Sequence, residues 1–358
     1  MIAAAVLAVA VAVAGEPAIP KADEAFFGRV VAKAPAGATQ AALFVGGRRI
    51  ATKPVLGPKV SFSVRRSPAR YEVRIRFDRG ATVAAPRAWL LPSSAGQALP
   101  RRSRDGALAA RLAELGRSYD GWAGLWVHDL RTGSAAGWNS DTPFPAASVV
   151  KLAVLIAALD RWGPRPERSD AWRDIWNMTT WSANDSTNRL VARLGGPGVI
   201  QGVLHRVGAT SSTYTGDYRL GTSVAADTPK PLPVLTYRRT TARDAGRILY
   251  VLQAAALGQP DAARRTRLSR HEARVGLALL LSSSRTGDNA GVLRPPGPAA
   301  QKHGWTNTVR HTAAIVYTAT GPKIVVVLTY RPDAVRLSAS VELGARVLRA
   351  AGVVRPAW

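Results

Sequence analysis

The 358-residue chain contains no cysteine. That excludes disulfide scaffolds, thiol nucleophiles and thiolate zinc sites. Acidic residues are scarce: 23 Asp and Glu stand against 49 Lys and Arg, a formal charge of +26. Such an excess suits polyanionic surroundings (nucleic acid, anionic lipid head groups or an acidic cell wall) and carries no information about fold. Lysine is scarcer still, with 8 residues against 41 Arg. A Lys at a chemically sensible spacing therefore carries more weight than usual. No unbroken apolar run reaches the roughly 20 residues that a membrane-spanning helix needs. At 47% apolar and 20% charged, the composition is that of a globular chain, neither disordered nor a coiled coil.

The longest apolar run, Ile2 to Ala14, is 13 residues and ends in Ala12-Val13-Ala14. That is the length of a signal-peptide core followed by small residues suited to cleavage. No Lys or Arg precedes it, which leaves room for an upstream start codon. Residues 1–14 are therefore expected to direct export to the bacterial cell envelope. Residues 25–92 alternate as short strands, as in Tyr71 to Phe77, with a hairpin over Ala41 to Ile50 around Gly46-Gly47 and a strand over Phe27 to Val31. They predict a small β-sandwich-like domain. Residues 93–105 read as a linker. Beyond it, helices are expected over Gly106 to Gly116, Val149 to Leu159, Thr241 to Leu257 and Val341 to Ala351, and strands over Leu125 to Leu130, Ala313 to Thr318 and Ile324 to Tyr330. Strand, helices, strands and a final helix predict an α+β domain over 106–358 whose two ends join one antiparallel sheet.

Three short motifs carry chemistry. In Ser148-Val149-Val150-Lys151 the two polar residues share a helix face, their Cβ atoms roughly 5–6 Å apart. A Ser hydroxyl is a weak nucleophile until a neighbour takes its proton; a desolvated Lys with a lowered pKa does so, or orients a water that does. Phe144 to Ala147 places Ser148 near a helix N-terminus, where free N–H groups favour developing negative charge. Alone the pair is weak, since it arises by chance in about four of ten shuffled chains of this composition. Ser182-Ala183-Asn184 offers a second hydroxyl to relay a proton and an amide to hold a substrate carbonyl. Ser182, Asn184 and Asp185 are equally good helix caps. In Lys302-His303-Gly304-Trp305 a Lys beside a Gly at a strand edge suits recognition of a carboxylate; a solvated Lys at a turn is the plainer alternative.

Taken in order, Ser-x-x-Lys, Ser-x-Asn and Lys-x-Gly are the motif set of serine β-lactamases and penicillin-binding proteins. From about Leu108 onward the chain resembles the class A β-lactamase domain. Trp126 to Leu130 with Thr132-Gly133 resembles its first strand and turn, Asn188 falls where that family keeps a second Asn, and Thr240-Thr241-Ala242-Arg243-Asp244 resembles a later helix start. The resemblance implies Ser148 as the acylated nucleophile, Lys151 as its base or base-orienting partner, and Ser182 with Lys302 as the relay to the leaving nitrogen. Asn184, His303, Gly304 and Trp305 would bind substrate, the N–H groups of Ser148 and Trp305 forming an oxyanion hole. It implies neither metal nor cofactor.

The departures are specific. The class A enzymes deacylate with a Glu-activated water from an Ω-loop, yet no Glu lies between Arg168 and His271. Asp217 and Asp227 are the carboxylates available there. A base displaced by an ångström costs about a hundredfold, so slow deacylation is expected. His303 replaces a hydroxyl residue, and with only 34 residues from Ser148 to Ser182 the helical lobe is trimmed. The expected substrate is a β-lactam, or alternatively a D-Ala-D-Ala-type cell-wall peptide or small ester. A non-catalytic cell-wall binding protein, held to anionic polymers, is the competing class. Nucleic-acid binding is not expected, because the Arg residues are scattered and no such motif is present. A monomer without a transmembrane span is expected.

Overall fold

The computed structural model describes residues 24–64, 66–92, 105–218, 238–283 and 291–353. The expected signal segment and nearly all of the expected linker lie outside them. Among the described residues no helix is long and apolar enough to cross a membrane. The chain divides into two compact units, Met1–Ser93 and Ser94–Trp358.

The first unit is all β: β1 (Glu24–Phe27), β2 (Arg29–Lys33), β3 (Gln40–Val45), β4 (Arg48–Pro54), β5 (Lys59–Ser63), β6 (Ala69–Phe77) and β7 (Thr82–Leu91). One sheet runs β1-β7-β6-β3-β4, and β2 pairs with β5. Alternation along β6 turns Val73, Ile75 and Phe77 into a core with Phe26, Val30, Leu43 and Phe62, and leaves Arg74 and Arg76 outside. Gly46 and Gly47 both hold positive φ (58° and 76°), the backbone that a tight hairpin between twisted strands demands. The sequence suggests one strand from Phe27 to Val31. The structure breaks it at Gly28, whose φ of 64° sends the chain from the larger sheet into the smaller.

The second unit begins with α1 (Gly106–Ser118), β8 (Trp122–Asp129), β9 (Ala135–Trp138), β10 (Phe144–Pro145) and α2 (Lys151–Trp162). There follow α3 (Trp172–Thr180), α4 (Asn184–Arg193), α5 (Pro197–Arg206), β11 (Arg239–Thr240), α6 (Ala242–Ala256), α7 (Pro260–Thr266) and α8 (Arg270–Leu281). It closes with β12 (Ala299–Trp305), β13 (Val309–Thr318), β14 (Gly321–Tyr330) and α9 (Leu337–Ala350). The central sheet is antiparallel in the order β12-β13-β14-β8-β9, so strands from both ends of the unit share it. β14 is buried nearly throughout, because α9 packs on one face and α6 on the other, while α1 covers β8 and β9 and α8 covers β12. This explains why its sequence is a continuous apolar run and not an alternating one. Leu112 and Leu115 of α1 and Leu343 and Val347 of α9 pack on Leu125, Val127, Val325 and Val327. α2 is buried all round from Lys151 to Leu159 and forms the axis of a helical lobe with α3, α4, α5 and α8. β12 lies at the sheet edge and α2 starts beside it: an added Cβ on Gly304 would lie 2.6 Å from the Ser148 nitrogen. The three motifs meet there.

Candidate active site

Ser148 stands on a tight turn, three residues ahead of α2. Lys151 N–H donates to Ser148 O (3.2 Å), Leu152 N–H to Val149 O and Ala153 N–H to Val150 O, an i→i+3 lead-in before α2. With three residues per turn, such a segment places side chains three apart directly above one another, which serves the Ser–Lys pair better than the α-helical spacing. The turn is entered through Ala147, a non-glycine residue at φ 43°. Backbone of that kind costs on the order of 1–3 kcal/mol and persists only where surroundings hold it. Here they do. Ala146 N–H donates to Arg238 O (3.0 Å), and the Phe144-Pro145 strand pairs with Arg239–Thr240. His311 fixes the same segment from the sheet: its Nε2 donates to Pro145 O (2.7 Å) while Nδ1 accepts from Thr329 N–H (3.2 Å). The two bonds define a neutral tautomer, and burial holds the ring's pKa near 4.

Lys151 is 1% exposed. Its Nζ donates to Ser182 O (2.6 Å) and to Asn184 Oδ1 (2.7 Å). Desolvation holds its pKa far below the ordinary value, with the charges of Lys302 and Arg238 acting in the same direction and Asp185 opposing them. Both acceptors come from the Ser-x-Asn segment, so the lysine that follows Ser148 by one turn is held against the second motif.

Ser182 does not cap α4. The cap position is Ala183, without a side-chain bond, and Ser182 holds a left-handed φ of 63°. That strained backbone aims its carbonyl at Lys151 while its hydroxyl accepts from Lys302 Nζ (2.8 Å). Lys302 is not solvated either: it is 1% exposed, it also donates to His303 O (3.1 Å), and burial lowers its pKa to about 7. One serine is thus held by two lysines, through carbonyl and hydroxyl. Asn184 heads α4, its Oδ1 on Lys151.

Gly304 is where strand and turn touch. Beyond the 2.6 Å approach to Ser148 N, a Cβ there would lie 3.0 Å from Ala147 Cβ and 3.1 Å from Val149 N. Only glycine brings an edge strand, whose alternate N–H groups point away from the sheet, this close to the Ser148 N–H. Trp305 follows, with the Arg310 guanidinium 4.9 Å above its ring. His303 is 2% exposed, and both ring nitrogens are buried without a hydrogen-bond partner. Burial and the two lysines push its pKa to about 3, so the ring is neutral at pH 7 and is no charged donor to a carboxylate.

Among the described residues of the segment expected to supply a carboxylate, the inward side chain is a phenol. Asp217 is exposed, and its carbonyl accepts from Arg238 Nη1 (3.2 Å). Asp227 lies outside the described residues. The inward position belongs to Tyr218, a residue that a search for carboxylates passes over. Asn188 holds it by both backbone groups: Nδ2 donates to Tyr218 O (2.7 Å) and Oδ1 accepts from Tyr218 N–H (2.8 Å). Its hydroxyl donates to Ala147 O (2.8 Å), its ring centroid lies 4.3 Å from Lys151 Nζ, and the Arg238 guanidinium lies 3.9 Å from the same centroid. Arg238 also donates to the carbonyls of Thr215 and Gly216 (3.0 Å each). The pairing of Asn188 with a Tyr 30 residues further along the chain has no local sequence signal. Trp176 within α3 and Trp181 just past its end form an exposed edge-to-face pair with centroids 6.2 Å apart.

A family model for the beta-lactamase enzyme family matches residues 107–164 and 164–351. The chain is similar in structure to a beta-lactamase from Desulfarculus baarsii, at 20% identity and TM-score 0.56, over 69% of this chain and 98% of that one. It is similar to PBP-A at 18% identity and TM-score 0.55, over 70% and 98%, and to a Sphaerobacter thermophilus beta-lactamase at 19% and 0.54, over 70% and 98%. At such identities these likenesses establish the fold alone. No curated protein matches the sequence. With the motif residues drawn into one cleft, the fold shared, and the family model spanning nearly all of the second unit, the chain belongs to the beta-lactamase enzyme family.

Proposed function

We propose that the chain is an exported serine hydrolase that is acylated at Ser148 by β-lactams, and that it releases the acyl group slowly. The observation that carries this is the convergence of both lysines on Ser182 beside Ser148: Lys151 Nζ donates to its carbonyl and to Asn184 Oδ1, and Lys302 Nζ donates to its hydroxyl. In the forward step Ser148 Oγ bonds to the lactam carbonyl carbon as its proton passes to Lys151, and negative charge collects on the carbonyl oxygen. The N–H of Ser148 and that of Trp305 meet this charge, the role for which preorganised donors are most effective. The carbon–nitrogen bond then breaks, and the leaving nitrogen takes a proton through Ser182, whose hydroxyl Lys302 polarises at 2.8 Å. Lys302 and Arg238 make the cleft electropositive, which suits a substrate bearing a carboxylate. A point mutant of PBP-A, similar to this chain at 18% identity, is described as an acyl-enzyme complex with penicillin G.

A second reading has support of its own. The lack of any Glu between Arg168 and His271, together with a neutral Tyr at the inward position, favours a D,D-peptidase or esterase acting on cell-wall peptides. Residues 1–14 and the +26 charge support placement in a cell envelope, beside anionic wall polymers. Intact-mass spectrometry over time with a penicillin, beside Ser148→Ala, tests these readings. A lasting adduct on the native protein alone supports acylation at Ser148 with slow release. A transient adduct with accumulating hydrolysed drug identifies an efficient β-lactamase. No adduct counts against β-lactams and leaves the peptidase, the esterase or a wall-binding protein.

A further inference from the structure

We propose that Tyr218 is a shield: its ring occupies the place from which water would attack an ester on Ser148, and it sets the lifetime of that ester. The inference rests on acylation at Ser148 as proposed above. Hydrolysis of the ester requires a water oxygen to bond to the carbonyl carbon and the bond to Ser148 Oγ to break. One water hydrogen restores the Ser148 hydroxyl, and the other leaves with the acid product through a base. Such a water needs room beside Ser148 and a proton acceptor within hydrogen-bond reach.

Tyr218 denies both. The residue flanking Ser148 on one side is Ala147, and the residue a turn beyond is Lys151. The phenol spans the two, bonded to Ala147 O at 2.8 Å and with its ring 4.3 Å from Lys151 Nζ. Its position is determined from four directions: Asn188 grips both backbone groups, Ala147 receives the hydroxyl, Lys151 lies against the ring, and Arg238 lies over it. Arg238 simultaneously holds the carbonyls of Thr215, Gly216 and Asp217, so the approach to Tyr218 is tied down as well. A phenol is a poor acceptor here. Its hydrogen is committed to Ala147 O, and burial pushes its ionisation well above the usual range. No other described residue between Arg206 and Arg239 places a carboxylate inward, since Asp217 is exposed.

The experiment measures formation and loss of the penicilloyl adduct separately, by stopped-flow and intact mass, on the full chain carrying Tyr218→Gly, Tyr218→Glu or Tyr218→Phe. Tyr218→Gly, which opens room for water, is expected to shorten the adduct lifetime at least tenfold. Tyr218→Glu, which adds a base, shortens it further, while Tyr218→Phe, which keeps the ring, shortens it far less. A merely structural role would slow acylation and leave the decay of the adduct alone. Asn188→Ala removes both bonds to the Tyr218 backbone and spares the ring. It provides an independent readout if the glycine variant does not fold, and a moderately shorter lifetime is expected. Equal lifetimes in native, Gly, Glu and Asn188→Ala proteins overturn the inference while acylation stands. Rapid native turnover abolished by Asp227→Asn overturns it too. Absence of an adduct on the native protein overturns the Ser148 reading and this inference together.

Discussion

The sharpest prediction concerns a single methyl group. In Gly304→Ala the new Cβ meets backbone, which has nowhere to swing: Ser148 N at 2.6 Å and Val149 N at 3.1 Å, with Ala147 Cβ at 3.0 Å. Ordinary van der Waals contact begins at 3.4 Å, so strand and turn must part by about 0.8 Å. The overpacking costs about 1–3 kcal/mol of stability, a shift that leaves the domain folded. The catalytic loss is larger, because the two N–H groups meant for the oxyanion lie on either side of this contact. A displacement near 1 Å costs about a hundredfold, and loss of one oxyanion donor about a hundred- to thousandfold. The acylation rate by a chromogenic penicillin or cephalosporin should fall within that range, equivalent to about 3–4 kcal/mol of transition-state stabilisation. The thermal transition should fall only modestly. A variant that acylates within tenfold of the native rate refutes the assignment of Ser148 N–H to the oxyanion hole. So would a variant that loses activity only in proportion to its loss of folded protein.

Three further outcomes follow from the same geometry. Because burial lowers the Lys302 pKa from 10.5 to about 7, the folded protein holds fewer protons than the unfolded chain between those values. Stability should therefore rise with pH from about 7 towards 10, by up to about 1.4 kcal/mol per unit; denaturant melts of native protein and Lys302→Met check it, the variant showing the shallower slope. The same substitution removes a charge that depresses Lys151, so the rise of acylation with pH should move in the alkaline direction. Asp244 accepts from Ser211 N–H (2.9 Å) and Ser212 Oγ (2.8 Å) in a buried site; Asp244→Ala should cost about 2–3 kcal/mol by denaturant unfolding. Gly202→Ala in α5 meets nothing within 4 Å and should stabilise by about 0.5–1 kcal/mol in the same assay.

What the sequence disclosed depended on how local the cause was. The order Ser148, Lys151, Ser182, Asn184, Lys302, Gly304 is chemical and local, and the structure draws those residues into one cleft. The strands over 313–318 and 324–330 announced themselves by apolar runs, because helices cover both faces of their sheet. Backbone strain was invisible. Nothing in Ala146-Ala147-Ser148 announces a φ of 43° imposed by Arg238, His311 and Tyr218, and Ser182 reads as a helix cap although Lys151 and Lys302 hold it in a left-handed turn. Near 217 the composition names carboxylates, whereas the inward orientation of the neighbouring Tyr218 depends on Asn188, 30 residues earlier, and has no local sign.

The sharing of one sheet by both ends of the catalytic unit governs when that unit is complete. Lys323 and Asp129, paired across β14 and β8, are 194 residues apart, and the Lys302–Ser182 contact closes a span of 120. Contacts so distant along the chain make closure slow, because loop entropy is lost before the pairing rewards it. A chain made from its N-terminus can build α2 through α8 by neighbouring contacts while Ser148 still lacks both Lys302 and the strand that brings Gly304 to it. Ser148 thus acquires these neighbours only after β12 to β14 have been synthesised, and a chain truncated before them would carry the helices without the assembled motif cluster.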